Sequence, residues 1–458
     1  MRRLPAPVHL APLKKGSFVS VAAWIGASLV LFAGVWQQFV VATGFLWFVI
    51  PAVAAAAVWW DLKGKSRAGI QSLGGMITPL LFVLSVLGAA SGLYGAWRSG
   101  FVVDWFSAGP LLPFSDAGEY VNGAKSLITF GELGEISARR PLGTTLIAVA
   151  LWITNQNYQL SLILLALLTG VTTFFAVRQT FLAGGLLAAL LYLGLCLLVL
   201  SEWVPLFGTE TTGYLFASLS YAVLLSAFRR RSFNESLIGL ALLILAQAAR
   251  PGAILAIPTV GGYLIYFFST TWRGALRKGM IVAALVTALL LMDRLVSIKI
   301  GPPHLEYQGN VSYSLYGLAA GDKSWTYVLA EHPEINQIVS DGERSRYVYG
   351  LFWRRLIAHP EVFASVIVKR FWLTIQDLAS VYFGLVKHIP LALVSTVGLI
   401  GFVLLFRPAI RCASTWAFLP AAAIGTFLSA PFLFDAGSRI YMSIVSFHLA
   451  LTDRKSVV

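Results

Sequence analysis

Four polar segments of this chain carry residue types suited to a group transfer. Asp116-Ala-Gly-Glu119-Tyr120 comes first, and Arg139-Arg140-Pro141 follows about twenty residues later. Farther on stand Glu210, within Gly208-Thr-Glu-Thr-Thr-Gly213, and Arg250, within Arg250-Pro-Gly252. A carboxylate can take a proton from an acceptor hydroxyl, and guanidiniums can grip phosphate oxygens through paired N–H donors. Only 12% of the 458 residues are charged, so the position of these few is informative.

The elements that must hold them are membrane helices. Hydrophobic residues make up 58% of the chain, mean hydropathy is +0.77, and apolar runs near the length of a bilayer crossing recur from end to end. Aromatics at 13%, with 14 Trp, fit rings at the two membrane interfaces. The net charge of +14 does not point to nucleic acid, because the basic residues sit in short gaps between apolar runs. These gaps hold Arg2, Arg3, Lys14 and Lys15; Lys63, Lys65 and Arg67; Arg229 to Arg231; Arg273, Arg277 and Lys278; Arg407 and Arg411; Arg454 and Lys455. Such clusters mark the cytoplasmic side. Cys196 and Cys412 lie in or beside apolar segments and imply no disulfide framework.

Parity of the crossings then places the polar segments. Runs near 18–41 and 43–60 form a hairpin, and the run near 72–96 leads out, so 98–140 is external. Apolar stretches follow near 141–154, 158–177, 181–200 and 209–228, the last ending at Arg229-Arg230-Arg231. If all four crossed, the triple Arg would lie outside. The first is also short for a span, so it reads as a helix on the outer face or dipping part-way in. Asp116, Arg140 and Glu210 then share the outer side, with Arg178 inside.

Spans near 234–249, 253–270 and 278–297 lead to a second polar interval, Lys299 to His359. The patch near 361–386 is broken by Lys369, Arg370 and Asp377 and reads as interfacial. Spans near 388–406, 413–433 and 438–452 complete about twelve crossings with both termini cytoplasmic. The expectation is a single all-α polytopic domain over 1–458. It divides into 1–97, an outer loop at 98–157, central spans at 158–297, a second outer loop at 298–387, and 388–458.

With that layout, the ordered segments resemble the GT-C glycosyltransferases that use polyprenyl-phosphate sugars, the branch of aminoarabinose transferase and protein O-mannosyltransferases. The resemblance rests on Asp116 with Tyr120 four positions on, Arg140-Pro141-Leu142-Gly143 opening a short apolar helix, Glu210 opening a later span, and Arg250-Pro-Gly closing the next. It implies a GT-C-like bundle, inversion at the anomeric carbon, and a membrane partner that is a polyprenyl-phosphate sugar. The acceptor is a lipid, glycan or protein hydroxyl. Asp116 is then the general base, and Arg140 and Arg250 hold the phosphate with Arg139 beside them. Arg439 is a further candidate, and Glu119, Tyr120 and Glu210 contact substrate. The family often has Asp at the place of Glu210 and Lys at those of Arg140 and Arg250.

Plainer roles exist for several of these. Ser115-Asp116 with Glu119 also spells a capping box, and Glu210 at a helix start suits the dipole. No cofactor is expected: the six His show no ligand spacing, although acidic outer loops could take a divalent cation. A lipid-linked saccharide flippase is an alternative, as is an O-antigen polymerase or ligase drawing on His304, Arg344 and Arg346. The absence of a Walker loop disfavours a nucleotide-driven pump.

Overall fold

The computed structural model describes residues 67–99, 107–108, 111–302, 309–383, 416, 418–432 and 442–451. The expected spans near 18–41, 43–60 and 388–406, and Arg439, lie outside these residues. Apart from a two-residue antiparallel ribbon, Ser107–Ala108 with Leu112–Pro113, the described chain is helical. It is an all-α protein of membrane character. Four described helices are long and apolar enough to cross a bilayer.

Helix α1 (Arg67–Ser99) packs along α5 (Tyr158–Trp203). The sequence divides α5 into two spans, and the structure does so at Gly185, whose φ of 89° and ψ of −175° break the helix. That backbone suits glycine, which has no Cβ to clash in the left-handed region. The chain reverses there. Phe82 and Val86 of α1 meet Phe174 and Gly170 of the first half, an antiparallel register. Gly88 and Gly92 instead meet Leu197 and Ser201 of the second half, a parallel one.

Helix α6 (Thr209–Arg230) runs beside the first half of α5, with Thr173 bonded to Tyr214 and Thr180 to Tyr221. Tyr192 of the returning half stacks on Tyr221 at 5.2 Å. Helix α7 (Phe233–Ala249) returns against α6, Ser220 Oγ donating to Gly239 O at 2.7 Å. Helices α8 (Ala256–Phe268), α9 (Trp272–Ile300), α14 (Phe418–Ser429) and α15 (Val445–Leu451) complete the described bundle. Helix α9 leaves Leu276, Met280, Leu291 and Leu295 exposed, as a helix bathed in lipid does.

The bundle therefore has two ends of different character. Arg229 donates to Gln179 at 3.1 Å, so the end of α6 lies at the α5 turn together with Arg178 and Arg230. The opposite end receives the start of α6 and the end of α7.

At that opposite end, α2 (Ser115–Phe130), α3 (Glu135–Ala138) and α4 (Pro141–Ile153) form a compact shelf. With 13 residues, α4 is about 20 Å long and falls short of a bilayer core, as its sequence indicated. Ser297 Oγ of α9 donates to Ala138 O at 2.5 Å, and Leu133 N donates to Ile300 O at 2.6 Å.

The second polar interval folds as a helical cap of α10 (Asn310–Ala319), α11 (Tyr327–Glu331), a 3-10 turn at Pro333–Gln337, α12 (Asp341–Ala358) and α13 (Pro360–Phe383). It has its own core of Tyr316, Ala319, Val328, Ile335, Val348, Leu351 and Phe352. Burying a Val, Leu or Phe side chain stabilises by about 1.5–3 kcal/mol, so this cluster contributes substantially to holding the cap together.

Candidate functional site

Arg140 stands where the shelf meets the bundle. It is the N-cap of α4, with Pro141 at the first helical position, where the missing N–H costs nothing. Its Nη1 donates to Tyr120 Oη on α2 and to Thr209 Oγ1, at 3.4 Å, on α6. Its guanidinium also lies 5.8 Å from the Tyr120 ring centroid, within cation–π range. One turn into α4, Gly143 allows the approach: a Cβ there would sit 2.6 Å from Thr209 Cγ2 and 3.2 Å from Ala249 O.

Immediately beneath lies an ion pair. Glu210 Oε1 and Arg250 Nη2 are 3.2 Å apart, and their side chains are 5% and 1% exposed. Glu210 sits in the first turn of α6, where the helix dipole favours an anion. Arg250 caps the end of α7 and lies across Gly213, where a Cβ would come within 2.7 Å of Arg250 Cβ. Gln247 braces the turn that follows: its Oε1 accepts from Gly252 N and Ala253 N at 3.2 and 2.8 Å, and its Nε2 donates to Ser443 O. The segments singled out in the sequence thus meet at one end of the bundle.

They do not all meet in one cavity. Glu210, expected to face the outer cavity, is buried against Arg250, because an acid next to a sealed guanidinium neutralises it better than water can reach it. Arg139 turns the other way, its Nη2 reaching Asp341 Oδ1 of α12 at 3.0 Å, with Arg344 Nη2 at 3.9 Å from the same oxygen. Of Arg139, Arg140 and Arg250, Arg140 alone has no carboxylate within ion-pair distance among the described residues. Its partners are neutral hydroxyls.

Asp116 is half-buried one turn before Tyr120 on α2. The capping box does not form as read: Phe114 is the N-cap and its side chain makes no cap bond, and Ser115 adopts a φ of 51°. Glu119 is exposed, and its backbone carbonyl accepts from Ser137 Oγ at 2.7 Å. Among the described residues, no group of three His, Cys, Asp or Glu side chains is placed to hold a metal.

Sequence reasoning passed over Thr209, Gln247 and Asp341. Thr209 and Gln247 had faint signals, as neighbours of Glu210 and Arg250 in apolar surroundings. Asp341 carries no local signal: it is a first-turn acid behind Ser340, which caps the helix, and its partner lies 202 residues away.

The cap carries the charge pairs with perturbed titration. Burial works against the charged form of Asp322. Hydrogen bonds from Lys369 and Arg370 outweigh it, and the carboxyl titrates below its usual range. Glu331 is lowered the same way, with burial opposed by bonds from Tyr316 and Arg355. Burial, and then the bond to Glu331, push the Tyr316 hydroxyl up to about 12.

No protein-family model matches this chain, and no curated protein matches it. Among solved structures, it is similar to the crystal structure of ArnT from Cupriavidus metallidurans in the apo state. Identity is 14%, the match covers 84% of this chain and 78% of that one, and the TM-score is 0.34. The overlap is too loose to assign a fold family.

Proposed function

We propose that this chain is a membrane glycosyltransferase of the GT-C kind. It moves a hexosyl or pentosyl group from a polyprenyl-phosphate donor to an acceptor hydroxyl. The reading rests on the order of the sequence motifs and on one geometric observation. Of the three guanidiniums, Arg140 is the one with no carboxylate within ion-pair distance among the described residues, and it meets Tyr120, one turn from Asp116 on α2.

The chemistry asks little else. The donor is activated already, because its phosphate leaves as a stable anion and needs no proton. Asp116 takes the acceptor proton as the hydroxyl oxygen bonds to the anomeric carbon from the face opposite the phosphate. The carbon–oxygen bond to the phosphate breaks in the same displacement, and the electron pair departs with the phosphate. Arg140, held by Tyr120 and Thr209, meets the growing charge with donors fixed in advance. Arg250 acts through Glu210 in this arrangement and reaches the phosphate only if that pair opens. Configuration inverts, and no cofactor takes part.

The bundle end holding Arg140 faces away from the cytoplasm in this reading, with about twelve spans in the cell membrane and both termini cytoplasmic. The donor tail lies along lipid-exposed helices while the acceptor arrives from water. A transporter would place charge at mid-depth along a path. In α6 and α7 the charged residues, Glu210, Arg229, Arg230 and Glu235, stand at the helix ends instead. The decisive experiment supplies the purified protein in nanodiscs with short-chain polyprenyl-phosphate sugars and follows release of polyprenyl phosphate. Mass spectrometry of envelope glycans with and without the gene names the sugar and acceptor. No release with any donor, and no missing sugar, overturns the reading.

A further inference from the structure

The contact between the cap and the shelf is an unusual place to spend a carboxylate. Asp341 is 5% exposed and bonds Arg139 through Oδ1. Its Oδ2, the Nε atoms of Arg139 and Arg344, and the Oγ of fully buried Ser345 are buried without a hydrogen-bond partner. Burying the Asp341 carboxylate with one oxygen unbonded is costly. Its partners Arg139 and Arg344 keep 24% and 29% of their side chains exposed, and an apolar contact of the same shape would hold the cap at least as well. Stability is therefore a poor explanation for this cluster, whereas location offers a better one. Arg139 adjoins Arg140, and the two side chains leave the backbone in different directions, one to α12 and one to Tyr120 and Thr209.

The short stretch between α3 and α4 is tied down at several points. Ala138 O accepts from Ser297 of α9, Arg140 N donates to Ser137 O at 3.1 Å, and Arg140 O accepts from Thr144 N at 3.2 Å. The first of those bonds ties the backbone to the bundle, and the other two hold it within the shelf. On the cap side, Asp341 is the anchor that the side chain of Arg139 reaches. We propose that Asp341 is a positioning residue: by holding Arg139 it sets the orientation of Arg140, so the cap is a working part of the site. This deepens the proposed function and rests on its assignment of Arg140 to a phosphate.

The test compares wild type with Asp341→Asn, Arg139→Gln and the double variant in nanodiscs, using two readouts. The first is hydrogen exchange of peptides spanning 138–144, which needs no ligand. Faster exchange there in Asp341→Asn, with α6 and α7 unchanged, is expected; unchanged exchange overturns the proposal. The second is binding of a short-chain polyprenyl phosphate. Each single variant should weaken it about ten-fold, the double variant no further, and Asp341→Glu should recover part of the loss. Additive losses mean that Asp341 acts by another route and overturn the proposal. If wild type binds no polyprenyl phosphate while exchange responds as expected, the functional reading fails and the positioning role stands.

Discussion

Glu210 and Arg250 face each other across 3.2 Å, both almost wholly sealed from solvent, at the point where α6 begins and α7 ends. Two charges withdrawn from water regain little by pairing, but removing one leaves the other buried without that counter-charge. Glu210→Gln or Arg250→Met alone should therefore lower stability by about 3–5 kcal/mol, seen as a large drop in the thermal midpoint. The double variant should regain most of it. Equal or greater loss in the double variant would mean the two do not form a unit.

A second prediction concerns Arg140, whose partners are hydroxyls. Arg140→Ala removes no buried counter-charge, so the thermal midpoint should move little. Donor use should fall by about a hundred-fold, equivalent to roughly 2.7 kcal/mol of transition-state stabilisation. Steady-state kinetics of polyprenyl phosphate release measure it. A variant that unfolds as readily as Glu210→Gln would mark Arg140 as structural.

How much of this was legible beforehand depends on the distance over which each feature is encoded. The short α4 was readable because a run of apolar residues carries its own length and Pro141 marks its start. The gathering of Arg140, Glu210 and Arg250 at one end followed from counting crossings. Their mutual arrangement did not, since the Glu210–Arg250 pair depends on Gly213 letting two backbones close together. The sequence places the reversal in α5 between the stretches near 158–177 and 181–200, yet it falls at Gly185, the residue able to adopt the required backbone. The cap looked like a polar loop because its core residues are spread over four separate elements. The Arg139–Asp341 link joins two such distant segments, and no local pattern announces it.

The cap also gives a pH prediction. Asp322 titrates below its ordinary value because Lys369 and Arg370 outweigh its burial. A carboxyl depressed on folding stabilises fully above its unfolded value of about 4, and that contribution is lost as pH falls through the folded value. Glu331 acts with the same sign. Protease sensitivity of residues 310–370 should rise as pH drops from about 5 to 3. Asp322→Asn should weaken the cap at neutral pH and flatten that rise. A cap equally resistant at both pH values would show that these pairs contribute nothing.

Asp116 offers a cleaner separation of chemistry from structure. The change to Asn is nearly isosteric, and Asn keeps a side-chain oxygen that accepts hydrogen bonds where the carboxylate does. Asp116→Asn should abolish turnover while leaving the thermal midpoint and polyprenyl phosphate binding near wild type, since the base acts on the acceptor and not on the donor phosphate. Turnover measured in reconstituted protein decides the matter. Undiminished activity would remove Asp116 as the base.

The last prediction addresses the two ends of the bundle. Glu119 is exposed beside Tyr120 at one end, and Arg230, its side chain 56% exposed, lies at the other near Arg229 and Gln179. A lipid bilayer separates such ends completely for a charged reagent, so single cysteines report sidedness directly. In a background with Cys196 and Cys412 replaced, Glu119→Cys should react with a membrane-impermeant maleimide added outside intact cells. Arg230→Cys should react only after the membrane is opened, because clustered Arg mark the cytoplasmic face. Both positions reacting from one side would contradict the separation across the bilayer. The reverse pattern would turn the site toward the cytoplasm, where the acceptor and the donor's phosphate would have to be sought instead.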